Sequence, residues 1–523
     1  MPNPNTPLVM IIFANRNVAY KMSICLNNNY GQIITSLITV VRSLSSMSKK
    51  ALPHTENRDY ETAINTLNQL QSNAQYIQNA ALRPTRTGKS GQIVEMTKFL
   101  YRSGLALEDL DKLSVIHVAG TNGKGSTCAY SEAILRCHGY KTGFFSSPHC
   151  IDVRERIRIN GIPIPKSQFA NHFWNIYDKL DAQKDHEHDM PMYFRFLTLL
   201  AFHVFLEEKV SVAILEVGIG GEYDCTNIVR KTVVAAITSL DFDHTQLLGD
   251  TIDSIAWNKS GIMKAGSIAF TVPQPETALK VLRDRSHEKH CDLHIVNEDP
   301  YGINSITDFA AEIQKKNAGL ALAICEAFIK KDPNGNGRSF SLDLAKNAIA
   351  QTKWPGRYEI ISHRNSRFFI DGAHTLKSMV ICRKWFEEKT KGSSWKKALI
   401  FNLMGCRDPR LFFYELRKLD FDTVIFCPNV GSDKDPADSA GTISDQQNNV
   451  CPKDVQLEGC ATKRDQWLKM NPSSKNVQVF PSFLRASDYL TSQDQWDVLV
   501  TGSIHLVGAA MTILDQTLKG TLE

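Results

Sequence analysis

The chain has 523 residues, 42% of them hydrophobic and 22% charged, with a formal charge of +5. This composition excludes a disordered, collagenous or coiled-coil protein, and the length exceeds a single core, so about two to four domains are expected. The charge excess sits wholly in the first 55 residues, which hold Arg16, Lys21, Arg42, Lys49 and Lys50 and no Asp or Glu. The remainder is balanced, which argues against nucleic acid as a partner.

The acid-free, Ser- and Asn-rich leader, residues 1–48, reads as a transit peptide or disordered extension and predicts a mitochondrial matrix protein. Translation from Met47 would omit it and give a cytoplasmic form. Its apolar runs, Leu8 to Ala14 and Ile33 to Val41, are shorter than the roughly 20 residues a membrane-crossing helix needs, so no span is expected. The twelve cysteines contain no C-x-x-C pair and lie scattered in apolar stretches, which predicts reduced, partly buried thiols.

Residues Asn57 to Asn79 predict an amphipathic helix with Tyr60, Ile64, Leu67 and Leu70 on one face. "LSVIHVAG" predicts a buried strand, "STCAYSEAILRCHGY" the helix after it, and "KTGFFSS" a second strand. "VSVAILEVG", "TVVAAITSL" and "SIAFTV" continue the strand series, with "YFRFLTLLAFHVFLEEK" and "TIDSIAWNKSGIMKAG" as helices between them. Alternation of this kind predicts a mostly parallel sheet covered on both faces. "KDPNGNGR" separates two helical segments near Asp332. "WPGRY" has linker punctuation, and the strand pattern then restarts with "YEIISHRNSRFFIDGAH", "KKALIFNLMG", "FDTVIFCP" and "WDVLVTGSIHLVGAAM". Residues 49–353 and 354–523 are therefore expected to be separate α/β domains, with Gly431 to Arg464 as a polar surface loop.

The strongest local motif is "HVAGTNGKGST", His117 to Thr127. Gly120, Gly123 and Gly125 let backbone N–H groups wrap an anion without Cβ clashes. A helix N-terminus, Lys124, and the hydroxyls of Ser126 and Thr127 add to a phosphate site, although the spacing departs from the common P-loop.

Together with "TGFFSSPHCIDVRERIRINGIPI", "LEVGIGGEYDCTNI", "DHTQLLGDTIDSIAWNKSGIMKAG", "WPGR", "DGAHT" and "LVTGSIHLVG", that motif resembles the eukaryotic folylpolyglutamate synthases of the Mur ligase superfamily. The resemblance runs from about Asn57 to the C-terminus. It implies an α/β fold: an N-terminal P-loop ATPase domain joined to a smaller, Rossmann-like C-terminal domain with the active site between them. It also implies ATP-dependent ligation of L-glutamate to the γ-carboxylate of tetrahydrofolate or its polyglutamates through an acyl phosphate. A bifunctional dihydrofolate synthase and a catalytically silent nucleotide-binding regulator are the alternatives.

The resemblance assigns Gly123, Lys124, Gly125, Ser126, Arg357 and Asp371 to ATP, with His374 nearby. It assigns Ser147, Glu216 and His244 to Mg²⁺, and Lys259 to a carbamate that acts beside the metal, with K⁺ as a further cation. Glu216, His244 and Lys259 are its catalytic set, and a monomer is expected. The residue types alone leave other readings open: Glu216 as an acid capping a strand, His244 as a structural histidine, Ser147 as a turn hydroxyl, Lys259 as a salt-bridge partner. Phe144, Tyr193 and Phe194 offer stacking faces for a pteridine. Cys150 replaces an expected Leu on the folate loop, and Cys406 an expected Asp on the glutamate side. "DAQKDHEHD", Asp181 to Asp189, is read as a solvated loop and not a metal site.

Overall fold

A computed structural model describes residues 8–15, 18–25, 58–70, 91–297, 299, 301–303, 309, 311–332, 337–404, 407–432, 453–492 and 494–515. The chain divides into two units, residues 1–57 and 58–523. In the first, Leu8–Asn15 and Val18–Cys25 pair antiparallel, with Leu8 opposite Cys25 and Asn15 opposite Val18. This hairpin lies within the expected leader. Both runs are rich in β-branched and aromatic residues, which favour extended backbone. Met47 lies outside the described residues.

The second unit holds two sheets. The first is eight-stranded, in the order Asp292–Ile295, Ile268–Thr271, Val234–Ile237, Val115–Ala119, Val212–Glu216, Thr142–Phe145, Ile157–Ile159, Ile162–Pro163. It is parallel except for its last two pairings. The central strand Val115–Ala119 is buried at every position. Its Val115 faces a core with Phe145 and the helices Gly91–Ser103, Lys166–Asp181 and Tyr193–Glu207. Its Ile116 and Val118 face the opposite core, with the helices Lys124–Cys137, Glu312–Lys331 and Leu342–Gln351. Period-two side-chain alternation with both faces covered explains the unbroken apolar run.

The second sheet is six-stranded, in the order Glu359–His363, Ser366–Ile370, Trp496–Thr501, Lys396–Phe401, Thr423–Phe426, Val477–Val479. Only its first pairing is antiparallel.

Three sequence expectations change. The first helix spans Tyr60–Gln69, with Tyr60, Ala63, Ile64 and Leu67 buried and Leu70 as its C-cap; residues 71–79 lie outside the described residues. The expected polar loop is helical from Lys453 to Met470. There Cys460 and Trp467, two helical turns apart, are both buried, and Trp467 meets Phe413 edge to face at 5.2 Å. Two buried residues in a charged segment are too sparse a stripe to read as a core-facing helix. Phe144 is a core residue, 1% exposed and tilted against Trp354, and does not offer a stacking face.

Candidate active site

The C-terminal ends of the parallel strands of the first sheet open toward one cleft, where ligands of α/β folds commonly bind. The strand Val115–Ala119 leads into the phosphate loop, and Lys124 begins the helix that follows. Gly120 has φ +146°, and a Cβ there would come within 1.8 Å of Thr238 Oγ1. Gly123 caps the helix at φ +92°, where a Cβ would strike the Asn317 side chain at 2.3 Å. The N–H groups of Thr121 and Asn122 both reach the Ser239 carbonyl at 3.1 Å, which ties the loop to the next strand end. Lys124 Nζ donates to the carbonyls of Gly120 at 3.1 Å and Thr121 at 3.4 Å.

Glu216 ends the strand Val212–Glu216 and is 4% exposed. Its Oε2 accepts from the Ser147 N–H at 3.1 Å, and among the described residues Oε1 has no hydrogen-bond partner. Burial raises its pKa, opposed chiefly by the charge of Lys124. Ser147 precedes a cis peptide bond to Pro148.

His244 sits at φ +50°, with Nε2 3.5 Å from Asp243 Oδ2. Burial pulls its pKa down against the attraction of Asp243. Lys259 lies on the helix Ile252–Ser260, and its Nζ donates to the Gly120 carbonyl at 2.7 Å. Burial, followed by repulsion from Lys124, brings the ammonium pKa down to about 7.

The second sheet supplies the facing wall. The Asp371 carboxylate accepts from the Tyr358 N–H at 3.2 Å. Burial raises its pKa to about 6, with Arg357 opposing. His374 Nδ1 donates to the Gly372 carbonyl at 2.8 Å. Asp243 bridges the two sides: Arg407 Nη2 is 2.8 Å from its Oδ1, and His374 Nε2 is 3.9 Å from its Oδ2. Burial opposes ionisation of Asp243, but His244, Arg407 and His374 outweigh it, and the pKa ends below the usual carboxylate value.

All ten residues assigned from the sequence (Gly123, Lys124, Gly125, Ser126, Ser147, Glu216, His244, Lys259, Arg357 and Asp371) line one cavity of about 1080 Å³. His374 and Phe194 line it too, whereas Phe144 and Tyr193 do not. Sequence reasoning missed Asp243, Asn317, Trp354 and Arg156, which also line it. Asn317 left a faint signal, as an Asn within the apolar run "NAGLALAIC"; Asp243 left none among its acidic neighbours.

Cys150 is buried in the core of the second half, with Leu506 and Val507. Cys406 lies outside the described residues. In Asp181 to Asp189, Asp189 pairs with Lys98 and Arg102, each at 2.6 Å, so its charge is spent on an ion pair. Nine of the described cysteines are free, and eight of these are buried. Among the described residues, no helix is long and apolar enough to cross a membrane.

No protein-family model matches the chain. It is 42% identical over 476 residues to the mitochondrial folylpolyglutamate synthase of Homo sapiens, covering 86% of this chain and 79% of the relative. It is 39% identical over 504 residues to the folylpolyglutamate synthase of Neurospora crassa, covering 88% of this chain and 92% of the relative. Among solved structures, E. coli FolC in complex with DHPP and ADP aligns at TM-score 0.65 and 25% identity, over 89% of this chain and all of the other (100%). Mycobacterium tuberculosis folylpolyglutamate synthase complexed with ADP and AMPPCP aligns at TM-score 0.65 and 23% identity, over 88% and 99%.

The two sheets, with the phosphate loop and buried carboxylate in the cleft between them, define the fold of the solved folylpolyglutamate synthases. At this identity over most of both chains, the protein belongs to the folylpolyglutamate synthase family.

Proposed function

We infer that the protein ligates L-glutamate to the γ-carboxylate of tetrahydrofolate and its polyglutamates at the cost of ATP. The observation that carries this reading is the convergence of Lys124, Glu216, Lys259, Arg357 and Asp371 on one cavity. Its volume of about 1080 Å³ suits a nucleotide and a pteridine together.

In this reading the γ-phosphoryl group of ATP passes to the carboxylate oxygen, and the P–O bond to ADP breaks. The glutamate amine then attacks the acyl carbon, phosphate leaves, and an amide remains. The phosphate loop holds the triphosphate through backbone N–H groups and Lys124. Arg357 adds charge from the facing wall, and Asp371 accepts from the nucleoside. The tie through Asp243 brings the two walls together and shields the acyl phosphate from water.

Glu216 fits a hard cation, because one oxygen of this buried residue has no protein partner among the described residues. Ser147 and His244 would complete a Mg²⁺ site, with K⁺ as a second cation. When bound, Mg²⁺ neutralises phosphate charge. Lys259 fits carbamylation. That reaction needs a neutral amine, and its pKa of about 7 keeps much of it unprotonated. A carbamate retains one N–H for the Gly120 carbonyl. Phe194 offers a face to the pteridine. The acid-free leader and the mitochondrial designation of the human relative favour a mitochondrial form; a start at Met47 would give a cytoplasmic one.

The test is incubation of the purified protein with ATP, Mg²⁺, tetrahydrofolate and glutamate, followed by mass spectrometry of the folates. Products lengthened by glutamyl units, with ADP and phosphate released, are expected. Unchanged folate would overturn the reading.

A further inference from the structure

Arg156 is a cation of the cleft for which the reading above has no use. It is 8% exposed and lines the cavity beside Ser147 and Pro148. Its position is fixed from several directions. Its carbonyl accepts from the Ser146 N–H at 3.0 Å, which locks it to the segment that carries Ser147. Its Nε donates to His149 Nδ1 at 2.9 Å, and its guanidinium lies 5.4 Å from the centre of the Tyr193 ring. The two terminal amino groups have no hydrogen-bond or ion-pair partner among the described residues.

Neither nearby acid hydrogen-bonds the guanidinium of Arg156. Glu155 takes the N–H groups of Cys150, Ile151 and Asp152 at 3.0, 2.8 and 2.8 Å. Glu216 takes the Ser147 N–H. Most other cavity cations differ from Arg156: Lys124 and Lys259 bond loop carbonyls, Arg357 bonds the Gly356 carbonyl at 3.3 Å and Arg195 pairs with Glu95 at 2.5 Å. Lys377 has no such partner among the described residues either, but it is exposed and needs none.

Glu155 and Glu216 act on Arg156 only through space, and burying a guanidinium whose terminal donors are unpartnered is costly; its planar pair of donors matches a carboxylate. Arg156 belongs to the first half of the chain, next to Tyr193 and the Ser147–Pro148 turn. It is thus on the side where Phe194 faces the cavity, not on the wall formed by Arg357 and Asp371.

We propose that Arg156 binds the γ-carboxylate of the folate substrate through its two terminal amino groups, with His149 and Tyr193 holding the guanidinium in place. The proposal rests on the folate reading and assigns the residue that presents the reacting group.

The test compares binding of tetrahydrofolate with that of its γ-amide, tetrahydropteroylglutamine, by wild-type protein, Arg156→Gln and Arg156→Lys. ATP affinity is measured in parallel. Wild type should prefer the acid by at least about tenfold, as expected for a charge-assisted pair in a dry site. Arg156→Gln should bind both ligands equally, near the wild-type affinity for the amide. Arg156→Lys should fall between, and ATP affinity should stay within about twofold. A wild type without acid preference, a preference that survives Arg156→Gln, an equal loss of both ligands, or a loss confined to ATP would each overturn the proposal. If wild type bound neither pteridine, the folate reading itself would fail.

Discussion

Lys259 Nζ stands 2.7 Å from the carbonyl oxygen of Gly120, so the helix Ile252–Ser260 is tied to the first glycine of the phosphate loop. Burial and the neighbouring Lys124 bring this amine to a pKa of about 7. A lysine held at that point reacts with carbon dioxide far more readily than an exposed one. Carbon-13 bicarbonate should therefore give a carbamate NMR signal in wild type and none in Lys259→Arg. Lys259→Ala should lower kcat by at least about a hundredfold, the scale of losing an electrostatic catalytic group. A Lys259→Ala enzyme within twofold of wild type would remove Lys259 from the mechanism.

Gly120 is constrained twice, by φ +146° and by Thr238 Oγ1 at 1.8 Å from where a Cβ would stand. Gly120→Ala should cost about 2 kcal/mol or more in chemical denaturation and displace the loop carbonyl that Lys124 and Lys259 share. ATP binding should weaken with it. A variant of unchanged stability and ATP affinity would contradict the backbone argument.

Asp243 joins the two walls through Arg407 at 2.8 Å. Asp243→Asn keeps the shape but loses the charge that faces Arg407, His244 and His374. Truncating a half-buried pair of this kind weakens coupling by roughly 1.5 to 3 kcal/mol. The expectation is a drop of at least about tenfold in kcat with ATP affinity nearly unchanged, read from steady-state kinetics and nucleotide titration. An equal loss in both would place Asp243 in nucleotide binding instead.

Asp371 gives a pH signature. Its pKa rises from 3.8 unfolded to about 6 in the folded protein, because burial disfavours the carboxylate. Between those values the native state holds more protons than the unfolded chain. Stability therefore falls as pH rises through this window, and the penalty persists above it. It amounts to roughly 3 kcal/mol. Asp371→Asn stays neutral and still accepts from the Tyr358 N–H. Ligand-free Asp371→Asn should melt above wild type at pH 7, and the gap should close toward pH 4. A gap that widened on acidification would contradict the assignment.

The parts of the fold that read clearly are those with one dominant physical signal. The strands Val115–Ala119 and Val212–Glu216 are buried on both faces and read as continuous apolar runs. The phosphate loop shows itself through its glycines, of which Gly120 and Gly123 have positive φ and no room for a Cβ. The helix Lys453–Met470 did not read, because its burial is confined to a few side chains among charges. Phe144 was misread because an aromatic beside a functional loop looks the same in sequence whether it faces core or cleft. Asp243 and Arg156 did not stand out for a different reason, although the segment "SSPHCIDVRERI" that holds Arg156 reads as lying near the folate. Their significance lies in contacts made across the fold, Asp243 with Arg407 and Arg156 with its own cavity, and no spacing along the chain encodes them.

The most direct measurement is coupled product counting: ADP released against glutamyl units added to tetrahydrofolate, for wild type and Lys124→Ala. One ADP per glutamyl unit in wild type, with both quantities lost together in Lys124→Ala, is the predicted result. Glutamyl addition that continued without ADP release, or that persisted in Lys124→Ala, would contradict it.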